Sequence, residues 1–389
     1  MRKMPVEALK PGMVVARAIY SAEGRVLLNK GVTLKPSYLV RLRELGIPAV
    51  YIVDEVLGDL EVEDVISEQT RLQAIKAMKD LFGTCPQGKP THTALLVDSA
   101  RIQRVVNSLL EDLLSRKDLM LNLTDIRALD DYTFAHSVNV CVLALITGLT
   151  LHYSRSALIQ LGVGALLHDI GKTCLPLSIL NKPGKLTVEE YELVCRHPQC
   201  GFDILRLQEK VSLLSARVAL EHHERYNGSG YPRGLKGEEI HEFARITGVV
   251  DVYDALTADR VYRRAYPPHE AYEMLAGAGN FIYDYRIVKA FLFNVAAYPV
   301  GTLVELNNGE MGVVTGTARG HSHQPRVRLL YHSDGTPYKE QVTIDLTVDL
   351  HRFVSRVLPA AALPVGGAGN PGTGDDRWGG GCYNLYGRR

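Results

Sequence analysis

Two short clusters in this sequence hold side chains able to share a metal ion. His168-Asp169 and His222-His223 are adjacent pairs of ligand-type residues, and each follows an apolar run. Before the first come Leu158, Leu161, Val163, Leu166 and Leu167; before the second come Leu213, Leu214, Val218 and Leu220. A helix ending in His-Asp offers one imidazole nitrogen and one carboxylate oxygen, and the carboxylate keeps a second oxygen with which to bridge to another metal. His136 (in Tyr132-Thr-Phe-Ala-His136), His197 (in Arg196-His-Pro-Gln-Cys-Gly201) and Asp251 (after Ile246-Thr-Gly-Val-Val250) extend the set. Five histidines and two aspartates thus fall at or near the ends of apolar helical segments, where burial would otherwise penalise them. Mixed histidine and carboxylate ligation without thiolates suits catalytic iron, manganese or zinc rather than a structural Cys₄ zinc site. Two such ions hold a hydroxide and clamp a phosphoryl oxygen, which is the chemistry of an in-line displacement at phosphorus.

The elements that must position these residues form a helical region from about 124 to 297. Before it, residues 1 to about 55 read as a small α/β unit. Met13–Tyr20 and Arg25–Leu28 are strand-like around a turn at Ala22-Glu-Gly24; a short helix, Tyr38–Leu45, is opened by Pro36-Ser37 and closed by Gly46; Ala49–Val53 is a further strand. Apolar spacing predicts helices over Asp59–Phe82 and Ser99–Leu121. The Gly83–Pro90 segment between them reads as a loop and a boundary. From about 299 to 350 the pattern changes to strands, with hairpin signals at Asn308-Gly309 and Asp334-Gly335. Gly366–Arg389 holds nine glycines and the only tryptophan, Trp378, and is expected to be disordered. The division is therefore an N-terminal α/β accessory domain over 1–83 and a helical domain over 91–298, its motifs within 124–298. A small β-rich segment over 299–358 and a Gly-rich tail over 359–389 follow. The fold class is mainly α, a helical bundle with two smaller accessory parts.

Composition narrows the partners. The 389 residues carry 44 Lys+Arg against 43 Asp+Glu, a net charge of +1, with 46% hydrophobic and 22% charged residues. That is ordinary globular composition, and it lacks the basic excess that a nucleic-acid polymer binder needs. The most apolar stretch, around Cys141–Leu151, is about half of a membrane span. No targeting segment is evident and the six cysteines form no CxxC pair, so a reduced, cytoplasmic protein is expected. Cys141, Cys174, Cys195 and Cys200 flank the histidines without a paired base and read as bystanders. His152, His241, His269, His321, His323 and His332 have no motif around them.

His168-Asp169-Ile-Gly-Lys172 and His222-His-Glu-Arg-Tyr-Asn-Gly-Ser-Gly-Tyr-Pro232 resemble the two signature motifs of the HD-GYP family, metal-dependent bacterial phosphodiesterases of cyclic di-GMP within the HD phosphohydrolases. The resemblance continues through Ala244-Arg-Ile246, Asp251–Thr257 and Asp259–Arg264, and covers about residues 124–298. It implies an HD-type helical bundle that hydrolyses cyclic di-GMP to linear pGpG or GMP with a metal-bound hydroxide, lowering a bacterial second messenger. By the same resemblance the ligands are His136, His168, Asp169, His197, His222, His223 and Asp251, with Asp169 as the bridge. Lys172 would face the scissile phosphate and share the catalytic role with Asp169. Gly230, Tyr231 and Pro232 would meet the dinucleotide, the glycines of that loop allowing close backbone approach and the proline stiffening it. Arg260 and Arg263 supply cations that can fork onto phosphate or guanine, and Asp130 can read a guanine edge. Where some family members carry a glutamate for a third metal, this chain has Tyr132, so two metals are expected, iron or manganese ahead of zinc. Another nucleotide substrate, or a silent receptor or scaffold, is the alternative. The resemblance leaves open contact between the Gly-Tyr-Pro loop and diguanylate cyclase (GGDEF) domains, and a homodimer.

Overall fold

The computed structural model describes residues 1–20, 26–47, 49–54, 60, 64–83, 97–116, 120–121, 132–182, 184–258 and 265–359. In the N-terminal unit, β1 (Arg2–Pro5) pairs antiparallel with β4 (Ala49–Ile52), and β2 (Ile19–Tyr20) pairs with β3 (Val26–Leu28). Helix α1 (Pro36–Glu44) starts on a proline, whose missing N–H costs nothing in the first turn. Val6, Val15, Leu34, Leu39, Leu42, Val50 and Ile52 make a core of their own. The first strand was not expected, because its partner lies more than forty residues away and its own sequence carries no strand pattern. The turn expected at Ala22-Glu-Gly24 lies outside the described residues.

Two helices lead into the bundle, and both are shorter than their apolar spacing predicts. Helix α2 (Glu68–Gly83) begins well after Asp59: Val65 and Ile66 are buried, but from a bend that precedes the helix. Ser67 ends that bend by accepting from the Thr70 backbone N–H. Helix α3 (Ser99–Leu114), capped by Asp98, stops before Leu121. The Leu121 N–H instead donates to the Asn294 carbonyl at 2.7 Å, tying the chain to the far end of the bundle.

The bundle is built on α4 (Tyr132–Thr150), α5 (Arg155–Leu166), α6 (Leu177–Leu180), α7 (Val188–Val194), α8 (His197–Leu205), α9 (Leu213–Glu221), α10 (Glu242–Thr257), α11 (Pro268–Ala278) and α12 (Tyr285–Leu292). Helix α4 is apolar on every side, and Val138 and Val140–Ile146 are all buried. A helix of that pattern belongs in the centre, and α5, α10 and α12 pack around it. Among the described residues no helix is long and apolar enough to cross a membrane.

Five antiparallel strands follow: β5 (Leu303–Leu306), β6 (Met311–Gly316), β7 (Arg326–Tyr331), β8 (Pro337–Asp345) and β9 (Val354–Val357), in the order β8-β7-β6-β5-β9. Their turns use Gly309 and Gly335, as the hairpin signals predict. Val304, Leu306, Val314, Val327, Leu329 and Leu346 form a third core, in contact with Ala297, Tyr298 and Tyr272 of the helical region. The expected disordered tail lies, from residue 360 onward, outside the described residues.

Candidate metal centre

Three histidines reach the middle of the bundle by the same local device. His168 leaves the end of α5 with Nδ1 2.8 Å from the Ala165 carbonyl. His197 opens α8 with Nδ1 2.7 Å from the Val194 carbonyl, and His222 closes α9 with Nδ1 3.0 Å from the Ala219 carbonyl. A carbonyl only accepts, so each Nδ1 carries the proton and each Nε2 presents a lone pair inward. His136, one turn into α4, is held differently, between two carboxylates of α10: Nδ1 lies 2.7 Å from Asp254 Oδ2, and Nε2 lies 3.1 Å from Asp251 Oδ1. Asp251 and Asp254 sit one turn apart inside α10. Asp251 follows its apolar run without ending the helix, since α10 continues through it to Thr257.

Asp169 lies between two donor sets. Its Oδ1 is 3.4 Å from His197 Nε2 and 3.8 Å from His222 Nε2, while Oδ2 is 3.3 Å from His168 Nε2. The ligand atoms of Asp169, His197, His222 and His223 lie within 4.8 Å of one another, as do those of His136, His168 and Asp251. Such close approach needs the short turn over Ile170–Cys174 to press onto α8. Gly171 permits it, for a Cβ there would overlap the His197 carbonyl and stand 2.5 Å from the Gly201 nitrogen.

The donor set fits divalent metal. His168 Nε2 and Asp169 Oδ1 are buried and make no hydrogen bond, although both point into the centre. Buried polar atoms are otherwise almost always satisfied, and a cation shared by these groups would satisfy both. Electrostatics favour the same reading. Burial would raise the Asp169 carboxyl, but the charge of Lys172, then of His168, holds it well below the usual range. Asp251 is likewise held low against burial, by His136. Burial, with His168 and His197 alongside, lowers His222 to about 3 and keeps its imidazole neutral, as ligation requires. His136 goes the other way: burial opposes its charge, but Asp251 and Asp254 raise it to about 9.

Lys172 Nζ lies 2.5 Å from Asp169 Oδ2, with a third of its side chain exposed. It therefore pairs with the central carboxylate while its amine borders solvent. The Gly-Tyr-Pro loop abuts the centre through Tyr231, whose ring stacks on His223 at 4.7 Å. Gly230 is required there, because a Cβ would meet the Glu224 and Arg225 backbone and lie 2.5 Å from the His223 carbonyl. Pro232 follows Tyr231 in a cis peptide. Asp130, Arg260 and Arg263 lie outside the described residues, as does the Tyr132 side chain.

Several residues that hold this site were not singled out by the sequence. Glu221 and Glu224 flank the histidine pair and are both buried. Glu221 accepts from the Arg217 and Arg233 guanidinium groups and from the His241 backbone N–H. Glu224 accepts from the backbone N–H groups of Arg233 and Leu235 at 2.8 and 2.9 Å, pinning the chain that leaves the loop. Asp254 orients His136. Its signal was available: a second carboxylate three residues after Asp251 falls on the same helix face.

A helical bundle that gathers an HD pair with further histidines and aspartates defines a class, the HD-domain hydrolases. Residues 108–287 match the HD domain family and residues 303–364 the KOW domain associated with HD domain. The chain is 33% identical over 369 residues to the cyclic di-GMP phosphodiesterase PA4108 of Pseudomonas aeruginosa, with 89% of each chain covered. It is 45% identical over 131 residues to the cyclic di-GMP phosphodiesterase response regulator RpfG of Xanthomonas campestris pv. campestris, covering 33% of this chain and 35% of that one. With the 3'3'-cGAMP-specific phosphodiesterase 3 of Vibrio cholerae it shares 42% identity over 140 residues, 36% of this chain and 30% of the other. The chain belongs to the HD-GYP family of cyclic di-GMP phosphodiesterases.

Proposed function

We propose that this chain hydrolyses the phosphodiester bonds of cyclic di-GMP to linear pGpG, GMP or both, at a binuclear centre, and so lowers the messenger in bacterial signalling. The observation that carries the reading is Asp169, whose two oxygens each face a different set of buried donors. His136, His168 and Asp251 would hold one ion; His197, His222 and His223 would hold the other; Asp169 would join both. Two such ions supply a nucleophile near neutral pH and a clamp on the phosphoryl oxygens. The ligand chemistry favours iron or manganese, with zinc compatible.

The chain's own residues do the rest. The buried histidines keep Nδ1 bonded to fixed acceptors and so hold their Nε2 atoms in place before substrate arrives. Lys172, at the solvent edge, neutralises charge growing on the phosphoryl oxygens. Gly230, Tyr231 and Pro232 bound the cleft beside His223, and Asp130, Arg260 and Arg263 complete the grip on base and phosphate. Ser229 and Arg233 are exposed on and beside that loop and offer a face to a diguanylate cyclase (GGDEF) domain.

The 42% identity with a 3'3'-cGAMP-specific enzyme favours one second reading, a related cyclic dinucleotide as substrate. One experiment tests both. Wild type and Asp169→Ala are loaded anaerobically with Mn²⁺ or Fe²⁺, assayed for bound metal, and given cyclic di-GMP, 3'3'-cGAMP and cyclic di-AMP with chromatographic product analysis. About two equivalents of metal and metal-dependent pGpG or GMP, both lost in Asp169→Ala, are expected. Equal turnover by the variant overturns the site; preference for 3'3'-cGAMP overturns the substrate.

A further inference from the structure

A line of charged and amide groups runs from the N-terminal unit to His136. Arg17 places Nη2 3.2 Å from Asp64 Oδ2 and 3.4 Å from Glu68 Oε2. Asp64, just ahead of α2, takes both its oxygens to Arg71 Nη2 at 2.8 and 2.9 Å. Arg71 is an arginine only 6% exposed, and its Nη1 donates to Asn139 Oδ1 at 2.8 Å. Asn139 Nδ2 donates to Asp254 Oδ1 at 3.0 Å, and Asp254 Oδ2 receives the His136 Nδ1 proton at 2.7 Å. The line joins four parts of the chain: the N-terminal unit, α2, the central helix α4 and α10.

Every bond in it has one possible direction. A guanidinium only donates and a carboxylate only accepts, so Arg71 on one side and Asp254 on the other leave the Asn139 amide a single orientation. Asn139 and His136 lie three residues apart on α4 and grip the two oxygens of one carboxylate. That carboxylate cannot turn without breaking one of the two bonds. Its plane therefore sets the plane of the His136 ring, and with it the aim of His136 Nε2. Burying an arginine is costly unless its partners are fixed; here the fixed partners are Asp64 and Asn139, and neither belongs to the ligand set.

We propose that Arg71 and Asn139 are positioning residues for the metal site of His136, and that Arg17, acting through Asp64, makes the N-terminal unit a modulator of metal affinity at that site. The inference rests on the binuclear reading above. Outer partners of metal-ligating histidines typically change metal affinity by about 10- to 100-fold when removed. Coupling between sites is reciprocal, so metal bound at His136 also strengthens attachment of the N-terminal unit.

The test is Mn²⁺ binding to the full-length, metal-stripped chain, read from the electron paramagnetic resonance signal of free Mn²⁺. His136→Gln identifies which binding step belongs to His136. Asn139→Leu and Arg71→Met are expected to weaken that step about 10- to 100-fold and leave the other step unchanged. Arg17→Ala, at a partly exposed residue, is expected to weaken the same step by about fivefold. Unaltered affinities, or equal weakening of both steps, overturn the proposal, because a general loosening of the bundle spares neither site. Should the buried variants fail to fold, Arg17→Ala decides alone: an unchanged His136 step overturns the link. A wild type that takes up no Mn²⁺ overturns the binuclear reading itself, a result distinct from uptake that the variants leave untouched.

Discussion

A histidine that commits Nδ1 to a carbonyl of its own preceding turn has a single nitrogen left to give. His168, His197 and His222 do this independently on three helices, so each ligand is oriented by a local bond of three residues' span. That is why these three candidate ligands are legible in the sequence: what orients each lies next to it. Asp254 was not legible, because what it does depends on His136, 118 residues earlier. Lys172 poses the sharpest residue-scale question, since its amine both balances the buried Asp169 and borders solvent. Lys172→Met is expected to keep bound metal while kcat falls by about 10²- to 10³-fold, the usual effect of losing one preorganised charge at a transition state. Metal content and steady-state kinetics on the same preparation check this. Unchanged kcat would reduce Lys172 to a partner of Asp169.

At the scale of elements, the sequence located helices better than their ends. Val62, Ile66, Leu72 and Ile75 stand at helical spacing and predict an earlier start for α2, yet Ile66 reaches the core from a bend ahead of the helix. The Gly-Tyr-Pro loop shows the converse. Its composition announces a loop, but what stiffens it is Glu224, a buried carboxylate that accepts two backbone N–H groups from beyond the loop. Removing a buried acceptor leaves each donor short by about 1–3 kcal/mol. Glu224→Ala is therefore expected to free the segment after Pro232 while the bundle stays folded. Hydrogen exchange measures it: the Arg233 and Leu235 amides should exchange at least about tenfold faster, a local cost of about 1.4 kcal/mol. Amides of β6 and β7 serve as the unchanged reference. Equal exchange at Arg233 and Leu235 in both proteins would show that the loop is held from elsewhere.

Among the described residues, separate hydrophobic cores lie in the N-terminal unit, in the bundle and in the terminal sheet. The net charge of +1 describes none of them. Negative charge from Asp169, Asp251 and Asp254 is gathered in the bundle's interior beside buried imidazoles, an arrangement that divalent cations complete. Metal bound to the folded state alone stabilises it by about 2.7 kcal/mol per site at a free concentration of 100 Kd. For a unit of about 150–250 residues each kcal/mol moves Tm by about 2–4 °C. All seven proposed ligands come from the bundle. Chelation should therefore lower the bundle's melting transition by about 5–10 °C per occupied site and leave that of the terminal sheet in place. Differential scanning calorimetry of metal-loaded and EDTA-stripped protein checks this, with Asp169→Ala expected to show little response to the chelator. A single transition that shifts as one would mean that contacts such as Tyr272 and Tyr298 against the sheet bind the cores into one cooperative unit. An unshifted bundle would mean that the buried carboxylates and histidines hold their geometry through protein bonds alone.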